Sequence, residues 1–491
     1  MSSITYPKAG EKIVSEPDEK QGYIRDYITN QYLKAKPEEI EARQVLAKRL
    51  VEEYGFPKEL IQTVPEVRIQ KGGKLIGPAD IVVYNSQKDK EIKEGKNNQF
   101  FQRIDELFQK VKNKYRDVFP DPSEKINLRK DTISFIVSQL KNFNFSQASI
   151  DAKGEAFQEF IHAYYRGEKG QFFTPQPVMN LAVSIIDPKQ EEKIIDPACG
   201  TGGFLVTAMK YVMNKIIPAS RKDDKEYIAS KTKNYAEDYI RGIDINPRLT
   251  RVAKMRMVLE DDGHTGIIST NSLDQFSQIL HRAMENNSTY FDKNSFDVLF
   301  TNPPFGATGK EEQKTILQQY KLAKKWKEIE GKWQPTNEIL KGQVPDILFI
   351  ERCLEFLAGD GRMAIVLPDG DLTNSTLRYV REFIKDKARI LAVVSLPPET
   401  FIPYGTGVKA SIVFLQKVSP DQIKKLKKQD YSVFMAICEK IGYDIRGRTV
   451  YKRNEKGKIL IDENGQNIID SDIPEIINEF KKFKTKHQLN F

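Results

Sequence analysis

Cysteine, histidine and tryptophan are scarce in this chain: three, four and two among 491 residues. The cysteines, Cys199, Cys353 and Cys438, stand far apart. That excludes a disulfide-stapled framework and fits a reducing cytoplasm. His162, His264, His281 and His487 are equally scattered, so the ligand spacing of a zinc site is missing and no metal is expected. Long apolar runs are missing as well, and none approaches the roughly 18 to 20 residues that span a bilayer. The first residues, Met1-Ser-Ser-Ile-Thr-Tyr-Pro-Lys8, lack the apolar stretch of a secretory signal. A cytoplasmic protein with no membrane contact is therefore expected. No internal repeat is evident.

What is present is an ordinary soluble composition, 39% hydrophobic and 30% charged, in a length that suggests about three domains. Lys+Arg of 77 against Asp+Glu of 68 leaves a net +9, an excess that permits polyanion binding without requiring it. Basic clusters at 321–327 and 424–428 read first as solvated helix faces.

Residues 1–20 are polar and aperiodic and read as a flexible arm. A small α+β module follows over 21–97. Helical patterns cover 23–33 and 38–54, the second with Val45, Leu46, Leu50 and Val51 on its apolar side. Alternating segments at 64–69 and 80–84 read as strands joined through Lys71-Gly72-Gly73. Residues 98–168 form a helical region with helices over 100–115, 130–140 and 154–165, interrupted by Pro120-Asp-Pro122. From 169 to 417, strands at 193–196, 239–244, 296–301, 362–367, 390–396 and 410–415 alternate with helices. This pattern argues for a doubly wound α/β sheet. Residues 418–491 read as a basic, helical and hairpin tail suited to partner contact.

Within the α/β region two peptides carry the chemistry. Asp196-Pro197-Ala198-Cys199-Gly200-Thr201-Gly202-Gly203-Phe204 ends a short apolar strand and opens a helix over 204–215. Ligands of open α/β sheets bind beyond the carboxyl ends of the strands, and glycines let backbone approach them closely. The peptide therefore reads as the cradle of a nucleoside cofactor, with Cys199 a small filler. Asp244, in Gly242-Ile-Asp-Ile-Asn-Pro247, closes the next strand, where a carboxylate can accept both ribose hydroxyl protons. It lies farther on than the roughly 20 residues usual in dinucleotide folds. A Lys/Asp-rich insertion at 220–233, read as a surface loop, absorbs the excess. Ser272 and Leu273, after the apolar pair Ile267-Ile268, fall at a third strand end, facing the cofactor's adenine.

The second peptide is Asn302-Pro303-Pro304-Phe305. An exocyclic amino nitrogen is a poor nucleophile because its lone pair is delocalised into the ring. The Asn302 side-chain oxygen and a backbone carbonyl can each accept one of its hydrogens and draw it toward tetrahedral geometry. Proline stiffens the turn that holds these acceptors, and Phe305 can stack on a base flipped out of a duplex.

Together the two peptides resemble motifs I and IV of the amino-methyltransferases that use S-adenosylmethionine on DNA bases. Their order resembles the gamma class of adenine-N6 DNA methyltransferases, and within it the modification subunit of type I restriction-modification systems. Leu367-Pro-Asp-Gly370, Leu396-Pro-Pro-Glu-Thr-Phe401, Gly407-Val-Lys-Ala-Ser-Ile-Val-Phe-Leu415 and Ile441-Gly-Tyr-Asp-Ile-Arg-Gly447 extend the resemblance over residues 98–485. It implies a helical domain, a Rossmann-like methyltransferase sheet and a C-terminal helical tail. It also implies an S-adenosylmethionine cofactor. Gln171-Phe172-Phe173-Thr174-Pro175-Gln176 resembles the Phe-Thr-Pro element that folds over the cofactor's methionine end. The implied partners are double-stranded DNA, a separate specificity subunit, a second copy of the chain and a restriction subunit.

The 21–97 module resembles the nuclease-like module of type I restriction subunits through Glu41, Tyr54-Gly-Phe-Pro57 and Pro78-Ala-Asp80. A metal-dependent nuclease of that kind also needs Glu-x-Lys on a strand. Here Glu91-Ile-Lys93 sits in a charged turn, so a degenerate structural or docking module is expected. Competing readings are methyl transfer to cytosine N4 or to a protein glutamine, a catalytically silent DNA-binding scaffold, and restriction and methylation combined in one chain.

Overall fold

The computed structural model describes residues 23–25, 32–34, 44–52, 58–62, 67–71, 74–79, 82–83, 98–140, 174–222, 224–260, 266–306 and 309–491. The chain divides into two compact units, Met1–Ser146 and Gln147–Phe491.

In the first unit, strands Tyr23–Arg25 and Tyr32–Lys34 pair antiparallel where the periodicity suggested a helix over 23–33. Tyr23, Ile24, Tyr32 and Leu33 are mostly aromatic or branched, and cross-strand pairing outweighs a weak helical pattern. A helix does form over Gln44–Glu52. Val67–Lys71 pairs with Lys74–Ala79, not with the segment at 80–84; Ile61–Gln62 pairs with Val82–Val83 instead. The Gly72-Gly73 link is only two residues long, so it joins immediate neighbours. Helices Asn98–Lys114 and Lys130–Leu140 follow. The buried Lys112 ammonium donates to the carbonyls of Pro122 and Glu124 at 2.6 and 2.7 Å, tying the first of them to the loop after it. Glu41, Asp80, Glu91, Lys93 and the segments 54–57 and 154–165 lie outside the described residues.

The second unit is built on an eight-stranded sheet. Its strands in chain order are β1 (Ile194–Asp196), β2 (Ile240–Asp244), β3 (Ile267–Ser269), β4 (Phe296–Thr301), β5 (Leu357–Pro368), β6 (Ala388–Ser395), β7 (Ala410–Lys417) and β8 (Phe434–Ile437). Their spatial order is β3-β2-β1-β4-β5-β7-β6-β8, and β7 alone runs antiparallel to its neighbours. The central strands are short apolar runs buried on both faces, as parallel strands between helical layers must be. Side chains alternate between two cores: Ile194, Ile412 and Phe414 enter one, Ile195, Val413 and Leu415 the other.

One core is closed by α1 (Gln176–Ile186), α2 (Gly203–Ile216), α3 (Lys225–Tyr239), α4 (Pro247–Leu259) and the last helix, Ile473–Lys486. The other is closed by helices Phe276–Glu285, Pro345–Phe356 and Arg378–Lys385.

Three sequence readings are corrected here. The insertion at 220–233 is largely helical. Asp224 caps α3 by accepting the Tyr227 N–H at 3.0 Å, and Tyr235 and Ala236 are buried. The basic cluster at 321–327 lies on a turn and on strand Lys324–Ile329, paired antiparallel with Lys332–Ile339; it is not a helix face. The sheet also continues beyond 417. β8 adds parallel to β6, and Ile473, Ile476 and Phe480 of the last helix enter the core.

Arg362, on β5, fixes the end of α1 to the sheet. Its guanidinium donates to both Glu192 carboxylate oxygens at 2.7 Å and to the Ile186 and Asp187 carbonyls at 2.7 and 3.0 Å. Burial pushes the Glu192 carboxyl up, but Arg362 and Lys189 outweigh it and hold it below the usual carboxylate range. Removing one partner of a buried pair strands the other. Glu192→Ala is therefore expected to cost about 3 kcal/mol of unfolding free energy in urea at neutral pH. Because the folded-state pKa is depressed, this contribution is present above the unfolded carboxylate value. It is lost as pH falls through the folded one, so the mutant and the parent should converge in acid.

Candidate functional site

Every element of the site hangs on the carboxyl ends of β1 to β4. Register places Asp196 opposite Gly242 and Asp244 opposite Ser269, so the three loops after β1, β2 and β3 emerge side by side. They are then tied together. The Cys199 N–H donates to the Ile243 carbonyl at 2.9 Å, and the Gly200 N–H to Asp244 Oδ2 at 2.9 Å. Asp244 Oδ1 accepts the Asn246 N–H at 2.8 Å, and the Ser272 hydroxyl donates to the Pro197 carbonyl at 2.5 Å. Gly202, at φ 76°, turns the chain into α2, a left-handed conformation that a side chain would strain.

Asp196 is buried beneath this loop. Burial pushes its carboxyl up to about 7, while the Ala198 N–H, donating to Oδ1 at 3.0 Å, pulls the other way. Asp244 is likewise pushed upward, chiefly by burial. Burial also raises the Cys199 thiol, so Cys199 packs as an inert filler.

Above the loops lies a cavity of about 320 Å³, at the small end of ordinary ligand sites. Its near wall holds Pro197, Ala198, Gly200, Asp244, Ser272 and Leu273, and its far wall Asn302, Pro303 and Pro304. Nine sequence-predicted residues thus meet in one hollow. Asn302 follows β4 directly, and its carboxamide Oδ1 is buried with no hydrogen-bond partner among the described residues.

The other predicted residues that the structure describes stand outside the wall. Asp196, Thr201, Gly202 and Gly203 shape the loop from behind. Phe204 stacks on Phe300 with centroids 5.7 Å apart. Thr174 and Pro175 precede α1, and Gln176 on α1 donates to Thr207 of α2 at 3.0 Å. Gln171, Phe172 and Phe173 lie outside the described residues. Phe305, read from sequence as a stacking surface, is buried in the core, its ring meeting Phe401 edge-on at 6.2 Å.

Sequence reasoning missed Ile245, Asn246, Leu249, Glu311, Pro345 and Phe349 in the wall. The first three sit within a few residues of a motif and could have been found from it. Pro345 and Phe349 begin a helix remote in sequence, with no local signal. That helix also steadies the Asn302–Phe305 turn: Asp346 Oδ2 accepts the Gly306 N–H at 3.1 Å. A Cβ at Gly306 would stand 2.9 Å from Val344 Cγ1, so the turn and the helix pack backbone to side chain.

A hollow over the carboxyl ends of a mostly parallel sheet, lined by a carboxylate and an amide, places this unit among open α/β proteins, whose ligands bind at such strand ends. The chain belongs to the N-6 DNA Methylase family, whose model matches residues 148–487. It is similar to the type I restriction enzyme EcoEI methylase subunit of Escherichia coli, 27% identical over 288 residues, covering 58% of this chain and 50% of the relative. It is also similar to the EcoKI methylase subunit of Escherichia coli strain K12, 28% identical, covering 52% and 42%. The chain thus spans about half the length of these relatives. A type I restriction-modification methyltransferase subunit from Streptococcus thermophilus superposes with a TM-score of 0.49 at 18% identity, covering 81% of this chain and 73% of that one.

Asp346→Ala leaves the Gly306 N–H without its acceptor and should lower unfolding free energy by about 1–3 kcal/mol. Asp346→Asn keeps an acceptor and should stay near the parent. Denaturant titration of both variants checks this.

Proposed function

We propose that this protein transfers the methyl group of S-adenosylmethionine to the N6 amine of an adenine flipped out of double-stranded DNA. In this reading it serves as the modification subunit of a type I restriction-modification system. The observation that carries it is the buried Oδ1 of Asn302 beside the cavity, without a hydrogen-bond partner among the described residues. An orphan acceptor in a protein interior costs on the order of 1–3 kcal/mol, a cost relieved when a ligand amine donates to it.

The residues fit the two ligands. Asp244 offers its carboxylate to the ribose, Leu273 and Leu249 offer apolar surface to an adenine, and Ala198 and Gly200 line the loop side of the cavity. S-adenosylmethionine, when bound, supplies an electrophilic methyl group on sulfur. Asn302 Oδ1 accepts a hydrogen bond from the target amine and turns its lone pair out of the ring plane. The carboxamide is too weak a base to keep a proton, so the surplus proton passes to water once the N–C bond has formed. Pro303 and Pro304 keep the acceptor rigid, so no reorganisation is needed at the moment of transfer.

Membership of the N-6 DNA Methylase family favours adenine over cytosine N4 or a protein glutamine. Likeness to the EcoEI and EcoKI methylase subunits supports a role that depends on partners: a specificity subunit that reads the DNA site, a second copy of this chain and a restriction subunit. Three buried free cysteines suit a cytoplasmic setting. Among the described residues no helix is long and apolar enough to cross a membrane.

Asn302→Ala should lower turnover at least about a hundredfold while S-adenosylmethionine affinity, read by calorimetry, stays near the parent. Parent-like turnover would remove Asn302 from the reaction. Asp244→Ala should show the opposite split, with cofactor affinity falling about tenfold or more because a charge-assisted hydrogen bond is removed. Unchanged affinity would remove Asp244 from the site.

A further inference from the structure

Between β8 and the last helix the chain leaves the sheet as a small meander. Tyr443 bridges to Thr449, Arg453 to Ile459, Ile461 to Asn467 and Tyr451 to Ile469. Its three turns share one design, a repeat not evident from the sequence. Asp444 Oδ1 accepts the N–H groups of Arg446 and Arg448, Asn454 Oδ1 those of Lys456 and Lys458, and Asp462 Oδ1 those of Asn464 and Gln466. Each turn then passes through a glycine at φ 77°, namely Gly447, Gly457 and Gly465.

Charge is segregated along this arm. Residues 443–458 carry six Lys/Arg and two Asp/Glu, whereas residues 459–472 carry four Asp/Glu and no Lys or Arg. Arg446, Arg448, Lys452, Arg453, Lys456 and Lys458 are all exposed. Arg448 is held by Asp444 at 2.6 Å and Arg453 donates to the Gly457 carbonyl at 2.7 Å. Arg446, Lys452, Lys456 and Lys458 face no carboxylate within ion-pair distance among the described residues.

The root of the arm touches the candidate site's own support. The Tyr443 hydroxyl donates to the Thr400 carbonyl at 2.7 Å, and the Tyr443 ring meets Tyr404 at 6.4 Å. Thr400 and Tyr404 belong to the 3-10 segment Pro398–Tyr404, which also carries Phe401, the ring that meets Phe305. The basic turns therefore stand at the edge of the sheet where the Asn302–Phe305 turn emerges. The basic helix Pro420–Lys428 follows β7, the antiparallel strand, and so starts at the opposite edge.

We propose that residues 443–458 grip the phosphate backbone of the DNA duplex beside the target adenine, through Arg446, Lys452, Lys456 and Lys458. This rests on the reading of DNA as substrate. Exposed, unpaired cations spaced along two hairpin turns match a polyanion, and their place next to the base-gripping turn matches the path a duplex must take to present a base there. Ile461 and Ile469, exposed on the acidic part of the arm, would suit a protein partner instead, and the test separates the two.

The test titrates the full-length chain, alone and with the specificity subunit, with a fluorescent double-stranded DNA oligonucleotide across a salt series. The Lys452→Gln/Lys456→Gln/Lys458→Gln variant should flatten the slope of log K against log salt by about 0.9 for each phosphate no longer neutralised. Thermal midpoint and S-adenosylmethionine affinity should be those of the parent. Lys424→Gln/Lys428→Gln, at the opposite edge, should leave the slope unchanged. An unchanged slope in the triple variant overturns the proposal, as does equal flattening in both variants, which would reflect net charge alone. Loss of association with the specificity subunit at an unchanged slope would overturn it in favour of a protein-docking arm. A parent chain that binds no duplex at any salt, even with the specificity subunit supplied, would instead defeat the DNA reading itself.

Discussion

Two backbone N–H groups, those of Gly200 and Asn246, point at a single carboxylate, Asp244, from two different loops. The clasp is possible because parallel pairing sets β1 and β2 in a register that aligns their carboxyl ends. It holds because one carboxylate takes both bonds, one on each oxygen. The glycine-rich loop has no regular structure of its own, and it keeps its shape by borrowing acceptors from the neighbouring strand end. Asp196 below and Ser272 beside it complete the frame. The rest of the site is arranged around that frame, with the third loop supplying apolar surface and β4 delivering Asn302 across the hollow.

The far end of the cavity works on a different principle. Where the first loop is satisfied bond by bond, Asn302 is left, among the described residues, with an unspent acceptor in a buried place. A fold tolerates such a group where a ligand completes it, and here everything nearby is fixed: Pro303 and Pro304 in the turn, Phe305 locked against Phe401, and Gly306 held by Asp346. The rigidity places one acceptor with little freedom, which is what amine activation requires.

Much of this is legible in the sequence. β1, β2 and β4 are short apolar runs closed by Asp196, Asp244 and Asn302, and burial on both faces makes such runs conspicuous. The helix at 225–239 escapes a sequence reading because its composition is that of a solvated loop, with burial confined to a few positions such as Tyr235 and Ala236. β8 escapes it because four residues of alternating exposure acquire meaning only beside β6. Phe305 reads as open because the motif shows an aromatic and not its surroundings; Phe401, remote in sequence, turns it inward. Pro345 and Phe349 reach the wall through tertiary packing alone. The turns of the 443–470 arm are visible as Asp/Asn-x-x-Gly phrases, but their uneven spacing of ten and eight residues conceals the repeat.

The central claim is that this site methylates adenine in DNA. The most direct measurement supplies the chain with S-adenosylmethionine and duplex DNA, with and without its specificity subunit, and identifies the modified nucleoside by mass spectrometry. The account predicts N6-methyladenine, formed when the partner is present. Methylated cytosine, a methylated protein or no product under either condition would contradict it.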